Sequence, residues 1–352
     1  MNKIKLAKLS YQVLTLEAFE ALENNLFVIS FFEANLSWLQ HTESLLGMKQ
    51  EFVYVHLVKQ DEKLIFAWPL IHQGNHITSL TSFYSSISEP YYCAKQLDFN
   101  IISYLFTQIS RQYRWHKMQL GPLNEQGELT SILKALPCYH KVFSRTDNWC
   151  EDNINAFQTY YQQRPSRLKN TIKRREKQLT KQHNYHIKVI TTESEFLKYF
   201  QYYQDIYRKS WKGEEFSYAF IEQVSLHACQ ENKLRMGMLF VDDVAVAAQI
   251  WFLQSGTASI FKLAYDPNYK QYSVGSILSL ALSEHVIDID KVHTIEFGMG
   301  NEPYKQEWMS KCRQRVTLQL FNQQTIIGNI LAFRYIALAK IKRGLKRLWH
   351  KN

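Results

Sequence analysis

Residues 294–308, T-I-E-F-G-M-G-N-E-P-Y-K-Q-E-W, leave the chain little freedom in local structure. Thr294 to Phe297 form a strand-like run. Gly298 and Gly300 then open a turn in which the backbone is free to take positive φ and to come close to a ligand. The turn closes on Pro303, Tyr304, Lys305 and Trp308, and Tyr304 and Trp308 are spaced as on one side of a helix. A phenol, an ammonium and a large aromatic thus arrive together at the end of a strand.

The residues on either side alternate in the same way. A basic helix over 164–183 leads to a strand, His186 to Thr191, and then to helices over 193–209 and 217–231. Arg235 to Phe240 and Val244 to Phe252 pair through a turn at Asp242-Asp243. Thr257 to Tyr265 is the next strand, Gly275 to Ile287 a helix, and Arg315 to Phe321 the last strand. The first half has a comparable order. It begins with mixed helix over 11–48, where Leu14, Leu16, Phe19 and Leu22 fall near helical spacing. A hairpin of Phe52 to Val58 and Lys63 to Ile71 follows, turning at Gln60-Asp61-Glu62. A helix over 96–113 then leads to strands Trp115 to Leu120 and Tyr139 to Phe143. Interleaved helices and strands predict an α/β fold, and the repeated order predicts two similar domains meeting near residue 150.

Composition excludes several classes. A chain of 352 residues with 46% hydrophobic and 14% aromatic residues has ample surface to bury and is long enough for two domains. No apolar run reaches the ~20 residues of a membrane-spanning helix. Lys3, Lys5 and Lys8 are followed by Ser10-Tyr11-Gln12 instead of an apolar core, so a secretory signal is not expected and the cytoplasm is the expected location. The five cysteines are odd in number and show no C-x-x-C spacing, which points to buried free thiols and no metal site. His285 and His293 flank a helix end without a partner at ligand spacing, and no serine or cysteine sits in a nucleophile elbow. The net charge of +10 is concentrated in 164–181, with eight Lys/Arg against one Glu, and in 340–351, with six Lys/Arg and no acid.

Four further segments carry a family resemblance. Ser210-Trp211-Lys212-Gly213-Glu214-Glu215 resembles an S-W-K-x-x-E block, and Ile260 to Asp266 (I-F-K-L-A-Y-D) resembles a central strand. Tyr160-Tyr161 with Arg164-Pro165-Ser166-Arg167-Leu168 looks like a lead-in helix, and Phe83-Tyr84-Ser85-Ser86 matches a weaker N-terminal block. With the 294–308 motif they stand in the order found in CelD/BcsL-type acetyltransferases, a branch of the GNAT superfamily related to the Fem peptidyltransferases. The resemblance covers about residues 27–320. It implies tandem GNAT-like domains, each a mixed central sheet flanked by helices. The implied parts are a degenerate N-terminal domain (1–150) shaping the acceptor groove, a C-terminal acetyltransferase domain (151–322) and a basic amphipathic tail (323–352).

An acetyl-CoA enzyme must hold a pyrophosphate, and GNAT folds do so with a strand, a tight loop and a helix whose first amides face the phosphates. The superfamily loop, Arg/Gln-x-x-Gly-x-Gly/Ala, places its second glycine on Gly275. Lys270 then stands for Arg/Gln and Ser273 for the first glycine, with Val274 and Ser276 completing the cradle. Lys270 neutralises phosphate as a point charge without a fork, and Ser273 brings a Cβ into the loop. An ordinary strand-to-helix connection would look the same.

Acyl transfer also needs a base, an acid for the departing thiolate and a donor to the oxyanion. Tyr304 is the candidate acid, Lys305 the group for the oxyanion or an acidic acceptor, and Glu215 and Glu296 the candidate bases. Glu296 pairing with Lys262, and Glu215 pairing with Lys212 within one helical turn, are the competing structural roles. Trp211, Lys212, Lys262 and Trp308 are expected to line the acceptor site, Trp211 and Trp308 equally as core or pocket walls. Arg167 and Arg174 lie seven residues apart on the basic helix, over a buried stripe of Leu168, Ile172 and Leu179. They are expected to meet an anionic acceptor or the CoA phosphates, or simply to face solvent. In the tail, Leu338, Ile341, Leu345 and Leu348 share one side, as in a helix attracted to anionic lipid, although Gly344 costs it about 1 kcal/mol. A tail docked on its own domain is the rival.

The expectation is therefore an acyl-CoA-dependent N- or O-acyltransferase using acetyl-CoA and no metal. Its acceptor would be a small molecule or glycan precursor of the cell envelope, with peripheral contact to the inner membrane surface. The alternatives are a Fem-like transferase using aminoacyl-tRNA, the one case that calls for nucleic acid, and a non-catalytic binding module. No long heptad arm of the Fem kind is present.

Overall fold

A computed structural model describes residues 8–22, 27, 29–47, 52–93 and 97–337. The chain forms two compact units, neither a single stretch. One holds residues 1–28, 42–146 and 314–352, the other residues 29–41 and 147–313.

The first unit opens with β1 (Leu9–Leu14), α1 (Leu16–Glu20) and α2 (Leu36–Leu45), the last of which straddles the division. It continues with β2 (Val53–Gln60), β3 (Lys63–Gln73), β4 (His76–Ser79), β5 (Tyr91–Tyr92), α3 (Phe99–Gln112), β6 (Lys117–Asn124), α4 (Glu128–Ala135) and the start of β7 (Tyr139–Asp152). It ends with most of β13 (Lys311–Phe321) and α11 (Ile326–Ala332). Strands β1, β2, β3 and β4 pair antiparallel in that order, β4 pairs parallel with β6, and β6 antiparallel with β13. The core beneath α3 contains Ile102, Leu105, Ile109, Trp68, Leu120 and Leu318.

The second unit contains the end of β7, α5 (Phe157–Gln162), α6 (Ser166–Gln182), β8 (Tyr185–Ile190), α7 (Glu193–Lys209), α8 (Tyr218–Gln230), β9 (Leu234–Val241), β10 (Val244–Gln254) and β11 (Thr257–Tyr265). A 3-10 turn over 267–272 leads into α9 (Val274–Glu284), and β12 (Thr294–Met299) and α10 (Lys305–Trp308) follow. Strands β8, β9, β10 and β11 pair antiparallel in order, β11 pairs parallel with β12, and β12 antiparallel with β7. Both α7 and α9 pack on β10. A central strand covered on both faces must be apolar throughout, hence the run Val246 to Phe252, broken only by Gln249.

The two units are built alike. Each runs through the same pairing sequence, three antiparallel ladders, one parallel and one antiparallel. The β2–β3 turn places Asp61 at φ 48° and Glu62 at φ 65°, and the β9–β10 turn places Asp242 and Asp243 at the same values. Each hairpin carries its bulge at the same step, Ile65 in one and Val246 in the other. Each turn aspartate also pins the residue before the first strand. Asp61 accepts the Lys8 amide at 3.0 Å and Asp242 the Asn184 amide at 3.0 Å. The fold is thus the expected α/β duplication, with the first unit taking its sixth strand, β13, from beyond the second unit in sequence and the second taking the end of β7, which leads directly into α5.

Two expectations need correction. The start of the 11–48 region is a strand, because Leu9–Leu14 finds the edge of β2, and that pairing overrides the helical spacing of Leu14 with Leu16. The thiols are not uniformly buried, since Cys93 and Cys312 are exposed and only Cys150 is fully enclosed. Of the expected tail helix, residues 338–352 lie outside the described part.

Candidate functional site

The parallel ladder of β11 and β12 is three pairs long and ends at Ser259 and Glu296. β11 nevertheless runs on to Tyr265 and β12 to Met299. Beyond the last pair the two strands part, and a cavity of about 310 Å³ opens, with Leu263, Ala264 and Tyr265 on one wall and Phe297 on the other. Backbone groups along parted strand edges need partners, and a ligand lying between the strands could supply them.

The N-terminus of α9 forms one end of this cavity, contributing Ser273, Gly275, Ser276 and Ser279, with Lys270 beside them. Ser273 sits in the left-handed region at φ 55°, ψ 39°, where the superfamily loop carries glycine. No side chain caps the helix there. The first amides of a helix have no acceptor of their own, so Val274 and Gly275 present N–H groups and the positive end of the helix dipole. The Val274 side chain itself is buried in the core. Gln249, the one polar residue within the β10 run, fixes this turn. Its Nε2 donates to Gly275 O at 3.1 Å and to Ser279 Oγ at 2.7 Å, and its Oε1 accepts from Trp251 Nε1 at 2.9 Å. Gly275 lies against Tyr265, where an added Cβ would come within 3.1 Å of the ring. Tyr265 in turn meets the half-exposed Trp211 at 4.6 Å between ring centroids.

The other end is the turn after β12. Gly298 and Gly300 both have positive φ, 72° and 114°. Lys305 is buried and holds this turn, donating to Met299 O at 2.6 Å and pairing with Glu302 at 3.0 Å. A side chain at Gly300 would strike Glu302 and the Lys305 ammonium, which is why the position is glycine. Tyr304, Glu307 and Trp308 project into the cavity. The Tyr304 ring packs edge-on to Phe297 at 5.5 Å, and burial, then the nearby Glu302 carboxylate, pushes its pKa up to about 12. Its hydroxyl therefore keeps its proton at neutral pH. Glu302 itself would be raised by burial, but the Lys305 hydrogen bond and the Lys305 and Lys212 charges outweigh that and hold it below the usual range.

Beneath this wall lies a buried polar network. Arg164 pairs with Glu151 at 2.9 Å, the two side chains only 2% and 9% exposed. Arg164 also donates to the Trp308 carbonyl and to Ser310 Oγ at 2.9 Å, while Tyr160 OH donates to the same Trp308 carbonyl at 3.0 Å. Glu151 accepts the Ser310 amide at 2.8 Å. The carbonyl end of α10 is thus fixed from below.

The cavity therefore gathers seven of the residues singled out from sequence: Tyr304 and Trp308 at one end, Lys270, Ser273, Gly275 and Ser276 at the other, and Trp211 at the side. The remaining ones line it with neither side chain nor ring. Glu215 is buried in a two-pronged pair with Lys262, at 2.7 and 2.9 Å, so the partner of Lys262 is Glu215 and not Glu296. Burial lowers the Lys262 pKa against the pull of that carboxylate. Glu296 is buried between Asn148 and Arg313, the latter at 2.8 Å. Lys212 is exposed as a residue, yet its surroundings, then the Lys262 cation, bring its pKa down to about 8 against the carboxylates of Glu215 and Glu302. Arg167 and Arg174 are exposed on α6 above the buried Leu168, Ile172 and Leu179, as their spacing predicts. Three residues went unnoticed. Gln249 was marked by its polarity inside an apolar strand, and Glu307 by its helical offset from Tyr304. Arg164 carried no signal beyond membership of the lead-in block.

Residues 166–306 match the acetyltransferase (GNAT) domain family. That span is under half of the chain and holds all of the cavity lining except Glu307 and Trp308. No curated protein matches the sequence. Among solved structures, FemX is similar with a TM-score of 0.61 at 8% identity, over 93% of this chain and 99% of that one. A conserved protein of unknown function from Bacteroides thetaiotaomicron gives 0.59 at 10% identity, over 90% and 100%. L-PGS from Bacillus licheniformis gives 0.52 at 10% identity, over 90% and 94%. At such identities the likeness is one of fold. Residues 166–306 of the second unit are thus similar to the GNAT acetyltransferase domain, on a GNAT-like fold.

Proposed function

We propose that the second unit transfers an acyl group from a coenzyme A thioester, acetyl-CoA in the first instance, to an amine or hydroxyl of a small acceptor. Following the resemblance to the CelD/BcsL-type branch, that acceptor is a cell-envelope or polysaccharide precursor. The observation that carries the proposal is the cavity between the parted ends of β11 and β12, closed by the uncapped N-terminus of α9. In this account the pyrophosphate meets the Val274 and Gly275 amides and Lys270. The pantetheine arm lies between the strands, and the thioester reaches Tyr304. The acceptor nitrogen or oxygen attacks the carbonyl carbon, and the tetrahedral oxyanion collapses with cleavage of the C–S bond. The thiolate takes the Tyr304 proton, and the acceptor's proton passes to a carboxylate. Glu307 is the carboxylate supported for this, because it lines the cavity while Glu215 and Glu296 are engaged with cations. Isothermal titration with acetyl-CoA tests the donor: saturable micromolar binding supports it, and no heat with no turnover refutes it.

A second reading is favoured by the likeness to FemX and L-PGS over at least nine tenths of the chain. It has aminoacyl-tRNA as donor and the exposed cations of α6 on the RNA backbone. Salt-sensitive tRNA binding without acetyl-CoA binding would select it. Binding of neither would leave a non-catalytic module.

A further inference from the structure

α11 is docked by its smallest residues and exposes its largest. Gly328 and Ala332 are buried, and a Cβ on Gly328 would lie 2.1 Å from the Asn322 carbonyl oxygen, so the helix rests directly on the backbone that follows β13. Thr325 caps its start, accepting the Gly328 amide at 3.0 Å. Facing away are Ile326, Ile330 and Phe333, which are 81%, 59% and 62% exposed, with Ile327 at 46% beside them. Single exposed apolar side chains are ordinary, but four within eight positions form a patch.

In sequence, the apolar residues Ile341, Leu345 and Leu348 follow at three- and four-residue spacing. No Asp or Glu occurs after Glu307, whereas Arg334 and the six Lys and Arg of 340–351 supply seven cations. A second copy of this chain would bring the same uncompensated charge to the contact. Nucleic acid would satisfy the cations but offer nothing to the isoleucines. A bilayer containing anionic lipid satisfies both.

We infer that the face formed by Ile326, Ile330 and Phe333, with the cations that follow it in sequence, seats the protein on an anionic lipid surface. The apolar seat thus begins inside the folded unit, before the basic tail. The inference is independent of the acyl donor.

The test is co-sedimentation of the full chain with phosphatidylcholine vesicles and with phosphatidylcholine–phosphatidylglycerol vesicles, for wild type and I326E/I330E. Both isoleucines are exposed, so the variant keeps its melting temperature and serves as a folded control. The expected result is binding to the anionic vesicles only, falling as salt rises, and weakened at least about tenfold in the variant. Equal binding of wild type and variant would overturn the inference, as would no binding of wild type at low salt. A concentration-dependent dimer that the variant abolishes, without vesicle binding, would assign the face to a second copy. Retention of bulk RNA by both proteins, without vesicle binding, would assign the tail to nucleic acid.

Discussion

The two units share a ladder, a turn and a bulge, yet the cavity between parted parallel strands belongs to the second, while the first has a cavity of about 340 Å³ elsewhere, beside Phe106, Trp115 and Cys138. Register makes the difference specific. Position 237 of β9 faces Gln249 of β10, and the corresponding pair in the first unit is His56 and Trp68. Glycine at 237 lets α9 close onto the sheet, since a Cβ there would come within 2.7 Å of Leu282, and Gln249 then reaches the first turn of α9. In the first unit His56 instead joins a buried row, accepting or donating to Tyr11 at 2.6 Å and to His72 at 2.8 Å. The parallel ladder of that unit is also three pairs long, but β4 stops at Ser79, whose Oγ accepts the Gly121 amide at 3.0 Å and stitches the gap shut. Its following helix, α3, is capped by Asp98, so a carboxylate already holds the place where an anion would bind. A duplicated framework therefore keeps its strands while a handful of side chains decides whether the space between two of them can take a ligand.

The largest expected effect sharpens the chemical side of this contrast. Tyr304→Phe removes one hydroxyl and should lower kcat by about 10²–10⁴-fold while leaving acetyl-CoA affinity unchanged. Steady-state kinetics within about threefold of wild type would remove Tyr304 from the acid's role. Next is Arg164→Gln, which leaves Glu151 buried without its cation. Denaturant unfolding should show a loss of about 3–5 kcal/mol, and a loss under about 1 kcal/mol would mean that α10 is held by other means.

The histidine row gives the first unit its own pH signature. Burial, then His72, holds His56 down to about 3, and burial holds His72 down to about 4. Unfolded histidine titrates near 6.5, so the unfolded chain binds more protons below that pH. The stabilising contribution is complete above about pH 6.5 and is lost as pH falls toward 4, on the order of 1.4 kcal/mol per pH unit for each histidine. Melting temperatures measured between pH 7.5 and 5 should fall with pH, and H56F/H72F should flatten the slope; parallel profiles would contradict this origin.

The smallest pair of effects separates the two helix N-termini. Gly275→Val presses on Tyr265 and should weaken acetyl-CoA binding by at least about tenfold, or about 1.4 kcal/mol. Asp98→Ala should cost about 1 kcal/mol of stability through the lost cap and leave that affinity alone. Swapped outcomes would reverse the assignment of the working unit.

Much of this architecture was legible in the chain because its signals are local. The strand at 257–265, the turns at Asp61-Glu62 and Asp242-Asp243 and the buried stripe of α6 follow from periodicity and turn chemistry. Lys270, Ser273 and Gly275 were placed at the strand-to-helix loop by the resemblance to the superfamily's loop, and they line the cavity. What escaped is what depends on partners distant in sequence. β1 looks helical until β2 offers it an edge. Lys262 could have met either Glu296 or Glu215, and only the path of the chain after α7 decides for Glu215. The sixth strand of the first unit, β13, comes from the far end of the chain, which no hydrophobic pattern specifies. Arg164 stands apart from Trp308 by most of the second unit, so its role beneath α10 had no local trace.

Calorimetric titration of the intact chain with acetyl-CoA tests most directly whether the second unit, and not the first, takes the donor between its parallel strands. The account predicts one site per chain, abolished or weakened at least about tenfold by Gly275→Val and untouched by Asp98→Ala. Two sites per chain, or one site indifferent to Gly275→Val, would contradict it.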